Sequence, residues 1–181
     1  MTQSIQASAL PGRVRQVGYV VSDLDKTIET WLEMGIGPWY VLRKTLRHMV
    51  YRGESCDVVL SVGFANSGDL QIELIQQDDD TPSIFTEFLG SGPGGYHQLA
   101  WWTDDYDAAI RRADEAGWPI VWSGGENDGM RYAYFEPPSA PATVVEIMEL
   151  TAASNALIAL VRDAAVDWDG KDPIRSMNLE V

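Results

Sequence analysis

Two glutamates stand where a carboxylate is costly. Glu73 lies between Ile72 and Leu74, and Glu146 between Val145 and Ile147, each inside an apolar run. A carboxylate buried in such surroundings must be hydrogen-bonded, paired or functional. Burial raises its pKa, and amide hydrogen bonds to its charged form lower it. A glutamate poised between these effects can remove a proton beside a carbonyl, the step an epimerase or isomerase needs. The competing reading is a carboxylate that orients a ligand and does no chemistry.

Side chains alternate along a strand, so neighbours two apart share a face. Gln16 shares one with Gly18 and Val20, and Gln98 shares one with Ala100 and Trp102. Glu73 faces with Gln71 and Ile75, and Glu146 with Val144 and Met148. Four polar groups on four strands can therefore converge in one cup. Trp102 joins them by parity, while Trp39, Trp122, Tyr132 and Tyr134 are candidates for the rim or wall. With seven Trp in the chain, an aromatic-lined pocket with few polar groups points to a largely apolar, oxygenated organic molecule. His97, next to Gln98, is expected on the opposite face unless the strand slips or bulges.

An internal repeat supplies the elements that position these residues. An offset of 82 carries Gln16 onto Gln98, Asp23 onto Asp105, Asp25 onto Asp107, Ile28 onto Ile110 and Gly35 onto Gly117. Each half reads as strand, acidic helix cap, helix and glycine stop. Strands are predicted over residues 14–21, 39–42, 58–65 and 70–76, then 96–103, 120–122, 130–136 and 143–150. Turns at 66–68 and 137–141 separate the last two strands of each half. The fold class is α+β: two βαβββ modules form an open barrel-like cup, followed by a C-terminal helix. Residues 12–92 hold the first module with a linker helix near 83–89, residues 93–151 the second, and 152–181 a helix (154–166) and a tail.

The doubled pattern, together with 35–39, 70–76 running into 79–89, 94–107 and 131–150, resembles the glyoxalase/bleomycin-resistance/dioxygenase (vicinal oxygen chelate) superfamily. The likeness is greatest to its methylmalonyl-CoA-epimerase-like and glyoxalase-like branch. The resemblance implies an isomerase, epimerase or lyase, with Glu73 or Glu146 as base, or else a non-catalytic protein that binds or sequesters a small molecule. It also implies a metal held by His and Glu from the first and last strands of each module. Those positions here are Gln16, Glu73, Gln98 and Glu146, so both histidines are glutamine. An all-oxygen set suits only a hard divalent cation. The expectation is no cofactor, with the glutamine amides donating to the carboxylates.

The bulk composition narrows the partners. A net charge of -14 repels polyphosphate, which argues against nucleic acid. Arg43, Lys44, Arg47 and Arg52 form the one local basic segment, read as a solvated strand pair or a contact for an anionic substrate group. No apolar run is long enough to span a membrane, residues 1–6 carry no secretory signal, and Cys56 is the only cysteine, so a cytoplasmic protein is expected. Cys56 sits near Glu54 and Asp57, which disfavour a thiolate. Leu157, Ile158 and Val161 of the last helix need covering, from which a homodimer is expected.

Overall fold

A computed structural model of the chain describes residues 10–90, 92–126, 129–138 and 144–177. The first module opens on β1 (Gln16–Val20) and enters α1 (Leu24–Glu33) through Asp23, whose carboxylate accepts from the Lys26 N–H at 3.0 Å. The second opens on β5 (Gly95–Thr103) and enters α3 (Tyr106–Glu115) through Asp105, which caps the Ala108 N–H at 3.2 Å. Both helices stop at the repeat's glycines, Gly35 and Gly117, with φ of 80° and 72°. The repeat is therefore structural in its strands, caps and stops.

The remaining strands of the first module are β2 (Trp39–Tyr51), β3 (Glu54–Ser67) and β4 (Leu70–Gln77), followed by the linker helix α2 (Ile84–Gly90). Those of the second are β6 (Ile120–Gly124), β7 (Tyr132–Phe135) and β8 (Val144–Glu149). Most of the basic segment is the outer part of β2, which extends well beyond the short strand expected from sequence, and Arg52 follows in the turn. Arg52 and Gly53, with φ of 47° and 89°, make the two-residue turn into β3, as the twist of a hairpin requires. Thr143 and part of the 137–141 turn lie outside the described residues.

With β9 (Ile174–Ser176) near the C-terminus, the nine strands of the described residues form one mixed sheet in the order β3-β4-β1-β5-β8-β7-β6-β2-β9. Within the modules β1 runs parallel to β4 and β5 parallel to β8, and antiparallel β1 and β5 join the two halves. β2 pairs along β3 and, through Val50 and Tyr51, with Ser123 and Trp122 of β6, so the sheet curls round into an open barrel. α1 packs on the convex side over Trp39, Ile72 and Leu74, and α3 over Ala133, Phe135 and Ile147. The alternate residues of the same strands face the concave side.

The C-terminal segment departs from expectation in two ways. Helix α4 (Ala152–Ala165) buries Ile158 and Val161 within its own chain, and the cluster around Val161 includes Tyr40, Leu42, Phe64 and Leu157. Ile158 and Val161 are thus covered without a second copy, while Leu160 stays exposed. The predicted tail contains β9 (Ile174–Ser176), which pairs parallel to β2. Hydrogen bonds from Trp39 N to Pro173 O and from Met177 N to Val41 O, both 2.8 Å, bracket that pairing.

Candidate functional site

The concave face encloses a cavity of about 130 Å³ whose wall is mostly aliphatic and aromatic. Glu73 on β4 and Glu146 on β8 both line it, as do Gln16, Gln71, Tyr132 and Tyr134. Alternation explains the set: residues 71, 73 and 75 of β4 all reach the cavity, and residues 146 and 148 of β8 do so as well. Parallel pairing places Gly18 opposite Glu73 and Ala100 opposite Glu146, so small residues of β1 and β5 lie beside each carboxylate.

Gln98 ties the two glutamates together. Its Nε2 lies 2.9 Å from Glu73 Oε2, 3.2 Å from Glu146 Oε2 and 2.9 Å from the Tyr134 hydroxyl oxygen. The Gln98 side chain is fully buried and runs over Gly18, where an added Cβ would lie 2.3 Å from its Cδ. Only glycine leaves room there. Gln16 is turned differently: its amide donates to Gln71 Oε1 at 2.8 Å, and its own Oε1 is buried with no partner among the described residues.

His97 corrects the parity argument. Gly18 faces Gln98 while Tyr19 faces Tyr96, so His97 is the extra residue of a β-bulge. The bulge sets its ring beside Gln98, with Nδ1 2.6 Å from Gln98 Oε1, and against Phe85, Phe88 and Tyr134. An amide oxygen only accepts, so His97 donates through Nδ1–H and directs the Gln98 –NH₂ group to the carboxylates. Burial lowers the His97 pKa and so favours the neutral ring, against the opposing hydrogen bond to Gln98.

The electrostatics follow from this crowding. Burial raises Glu146 to about 8, opposed by hydrogen bonds from Gln98 and Tyr134. Burial, and then the charge of Glu146, push Glu73 well above the ordinary carboxylate range, with the Gln98 hydrogen bond opposing. Burial and the two neighbouring glutamates also raise Tyr134 far above a free phenol. Two carboxyls sharing one amide in an apolar wall do not both ionise near neutrality, so the pair retains a proton.

The superfamily's metal can be tested against this arrangement. Gln98 presents N–H groups, not an oxygen, to the space between the carboxylates. Gln16 likewise spends its amide on Gln71. Among the described residues no group of three or more His, Cys, Asp or Glu could hold a metal ion. The donor set as arranged does not fit the metal.

The predicted aromatic residues divide. Tyr132 and Tyr134 line the cavity. Trp39 is fully buried beneath α1, and Trp122 is fully buried against Phe85 and Tyr51, so neither forms the cup's rim. Trp102 has the expected face but lies farther along β5, past the cavity, beneath Arg15 at 5.0 Å. Parity fixes the face of a strand residue, not its height along the cup. Of the basic segment, Lys44 lines the cavity. Arg43 pairs with Asp25, Arg47 with Asp57, and Arg52 with Glu87 and Glu136. Unanticipated from the sequence are Met130 and, from α4, Ser154, Leu157 and Ile158, all in the cavity wall.

Over residues 15–134 the chain matches the glyoxalase/bleomycin resistance protein/dioxygenase superfamily. Among solved structures, methylmalonyl-CoA epimerase from Mycobacterium tuberculosis superposes with a TM-score of 0.57 at 24% identity, covering 84% of this chain and 97% of that one. A hypothetical protein from Bacillus halodurans gives 0.56 at 18%, covering 77% and 94%. A variant of Streptomyces coelicolor methylmalonyl-CoA epimerase, in complex with 2-nitronate-propionyl-CoA, gives 0.55 at 20%, covering 77% and 95%. No curated protein matches the chain. At these identities the structural likeness is one of fold, and it agrees with the match in sequence: the chain belongs to the glyoxalase/bleomycin resistance protein/dioxygenase superfamily.

Proposed function

We propose that the protein is an isomerase, epimerase or lyase acting, without a metal, on a small and largely apolar molecule that carries a carbonyl. The observation that supports this most is the pair of buried glutamates held by one amide at the wall of an apolar cavity. Glu146 ionises at about 8, and its charge then keeps the proton on Glu73. Such a pair is a base beside an acid. Glu146 takes a proton from the carbon next to the carbonyl, and the electron pair moves onto the carbonyl oxygen. The Glu73 carboxyl stabilises that oxygen by donating to it, while the Tyr134 hydroxyl donates to the Glu146 carboxylate and holds it in place. Return of a proton to the opposite face gives an epimer, and return to another carbon gives an isomer. Expulsion of a group one carbon further on gives a lyase product. Gln16 Oε1 offers an acceptor to a substrate hydroxyl. The three arginines of the basic segment are already ion-paired, which supports a substrate without a polyphosphate tail.

The test is hydrogen exchange in D₂O. A panel of small ketones, oxo acids and esters is screened by NMR for loss of the signal from the hydrogen next to the carbonyl. Exchange on at least one compound is expected, falling ~10²-fold or more in Glu146→Gln, as for loss of a positioned base. Binding of that compound should persist in the variant. Saturable binding with no exchange in the wild type would instead favour a non-catalytic binding protein.

A further inference from the structure

We propose that the protein has a second binding site, for a small organic carboxylate, at the junction of β1, β5 and α4. A cavity of about 150 Å³ lies there, lined by Arg15, Trp102, Leu150, Asn155, Ile158 and Arg162. Two of its donors are orphaned. The Arg15 Nε and the Trp102 Nε1 are both buried and have no hydrogen-bond partner among the described residues. Trp102 is only 7% exposed, and the Arg15 Cζ stacks 5.0 Å from its ring centroid.

Proteins rarely leave buried N–H groups without an acceptor. Arg15 takes part in none of the ion pairs among the described residues, although acidic side chains outnumber basic ones 27 to 13. The site thus keeps a cation unneutralised in a strongly acidic protein. One edge of a guanidinium, Nε with a terminal nitrogen, matches the two oxygens of a carboxylate. The indole N–H supplies a further, neutral donor. Leu150 and Ile158 give an apolar wall for the rest of the molecule. The other cation, Arg162, is exposed and already paired with Asp163 at 2.8 Å, so a single half-buried guanidinium favours a monoanion over a phosphate dianion. The site is separate from the glutamate pair, sharing with it only the Ile158 wall.

The experiment is an NMR titration of the full chain with butyrate, following the Trp102 indole and Arg15 Nε–H signals, each assigned by substitution. Both should shift saturably with butyrate, and at least tenfold more weakly with inorganic phosphate. Arg15→Gln should weaken butyrate binding at least tenfold. Arg15→Lys, which keeps the charge and is the gentler change, should weaken it by a similar factor because the paired N–H edge is lost. Glu146→Gln should leave the affinity unchanged. The proposal is overturned if the shifts do not saturate, if phosphate binds as well as butyrate, or if Arg15→Lys binds like the wild type. Loss of butyrate binding in Glu146→Gln would assign the carboxylate to the other cavity and overturn it as well.

Discussion

At the scale of single residues the site depends on one amide and the groups that aim it. Gly18 gives Gln98 its space, and His97 takes up its oxygen. Gly18→Ala should therefore displace Gln98 and cost about 1–3 kcal/mol as an overpacked core, measured by denaturant unfolding. Proton exchange on a substrate should fall with it, and wild-type stability in this variant would sink the idea. The glutamates make a pH signature. Their folded pKa values are raised, so the native state holds protons the unfolded chain has released, and stability falls as pH rises from the ordinary glutamate range to about 8. A single such group contributes a slope of up to about 1.4 kcal/mol per pH unit. Glu146→Gln should flatten that slope and be relatively stabilised at pH 8, as urea melts at several pH values would reveal. The rate limb runs the other way, with turnover rising with pH until Glu146 has ionised. Elemental analysis of protein purified without added metal should find far less than one nickel, zinc or iron per chain; stoichiometric metal lost in Glu73→Ala would contradict the metal-free mechanism. The positions of Glu73, Glu146 and Gln16 were legible because strand alternation alone assigns their face. The role of His97 was not, because a bulge is set by how β5 pairs with β1, and no local residue pattern marks it.

At the scale of elements, one apolar face of helix α4 serves two tasks. Val161 is fully buried against the strand cluster, which Leu157 also joins, while Leu157 and Ile158 line the concave cavity. Val161→Ala should cost stability by roughly 1–3 kcal/mol, in line with loss of a buried aliphatic group, and leave ligand affinity nearly unchanged. Leu157→Ala, at a half-buried wall position, should do the reverse. Equal effects from both changes would show that the helix acts as one rigid block. The strands and helices of the repeat were readable because β-branched and aromatic runs, acidic caps and glycine stops coincide twice. The length of β2 was hidden by its exposed outer half, where charged residues alternate with apolar ones and the turn uses Arg52 at positive φ. β9 was hidden for another reason: three residues carry no periodicity, and only the neighbouring β2 edge makes them a strand.

At the scale of the whole molecule, the contacts that attach the C-terminal segment to the barrel span well over a hundred positions. The Arg175 guanidinium donates to the Tyr40 hydroxyl at 3.0 Å across 135 positions. A ribosome adding ~5–20 residues per second needs roughly 7–27 s to cover that distance. During that interval the β2 edge awaits β9, and the Leu42 and Phe64 surface awaits α4, so unpaired backbone and apolar side chains stand open together. The vulnerable period in this protein's life is thus its synthesis, and holdase chaperones that cover strand edges should associate with nascent chains of about residues 70 to 150 and leave once α4 and β9 have emerged.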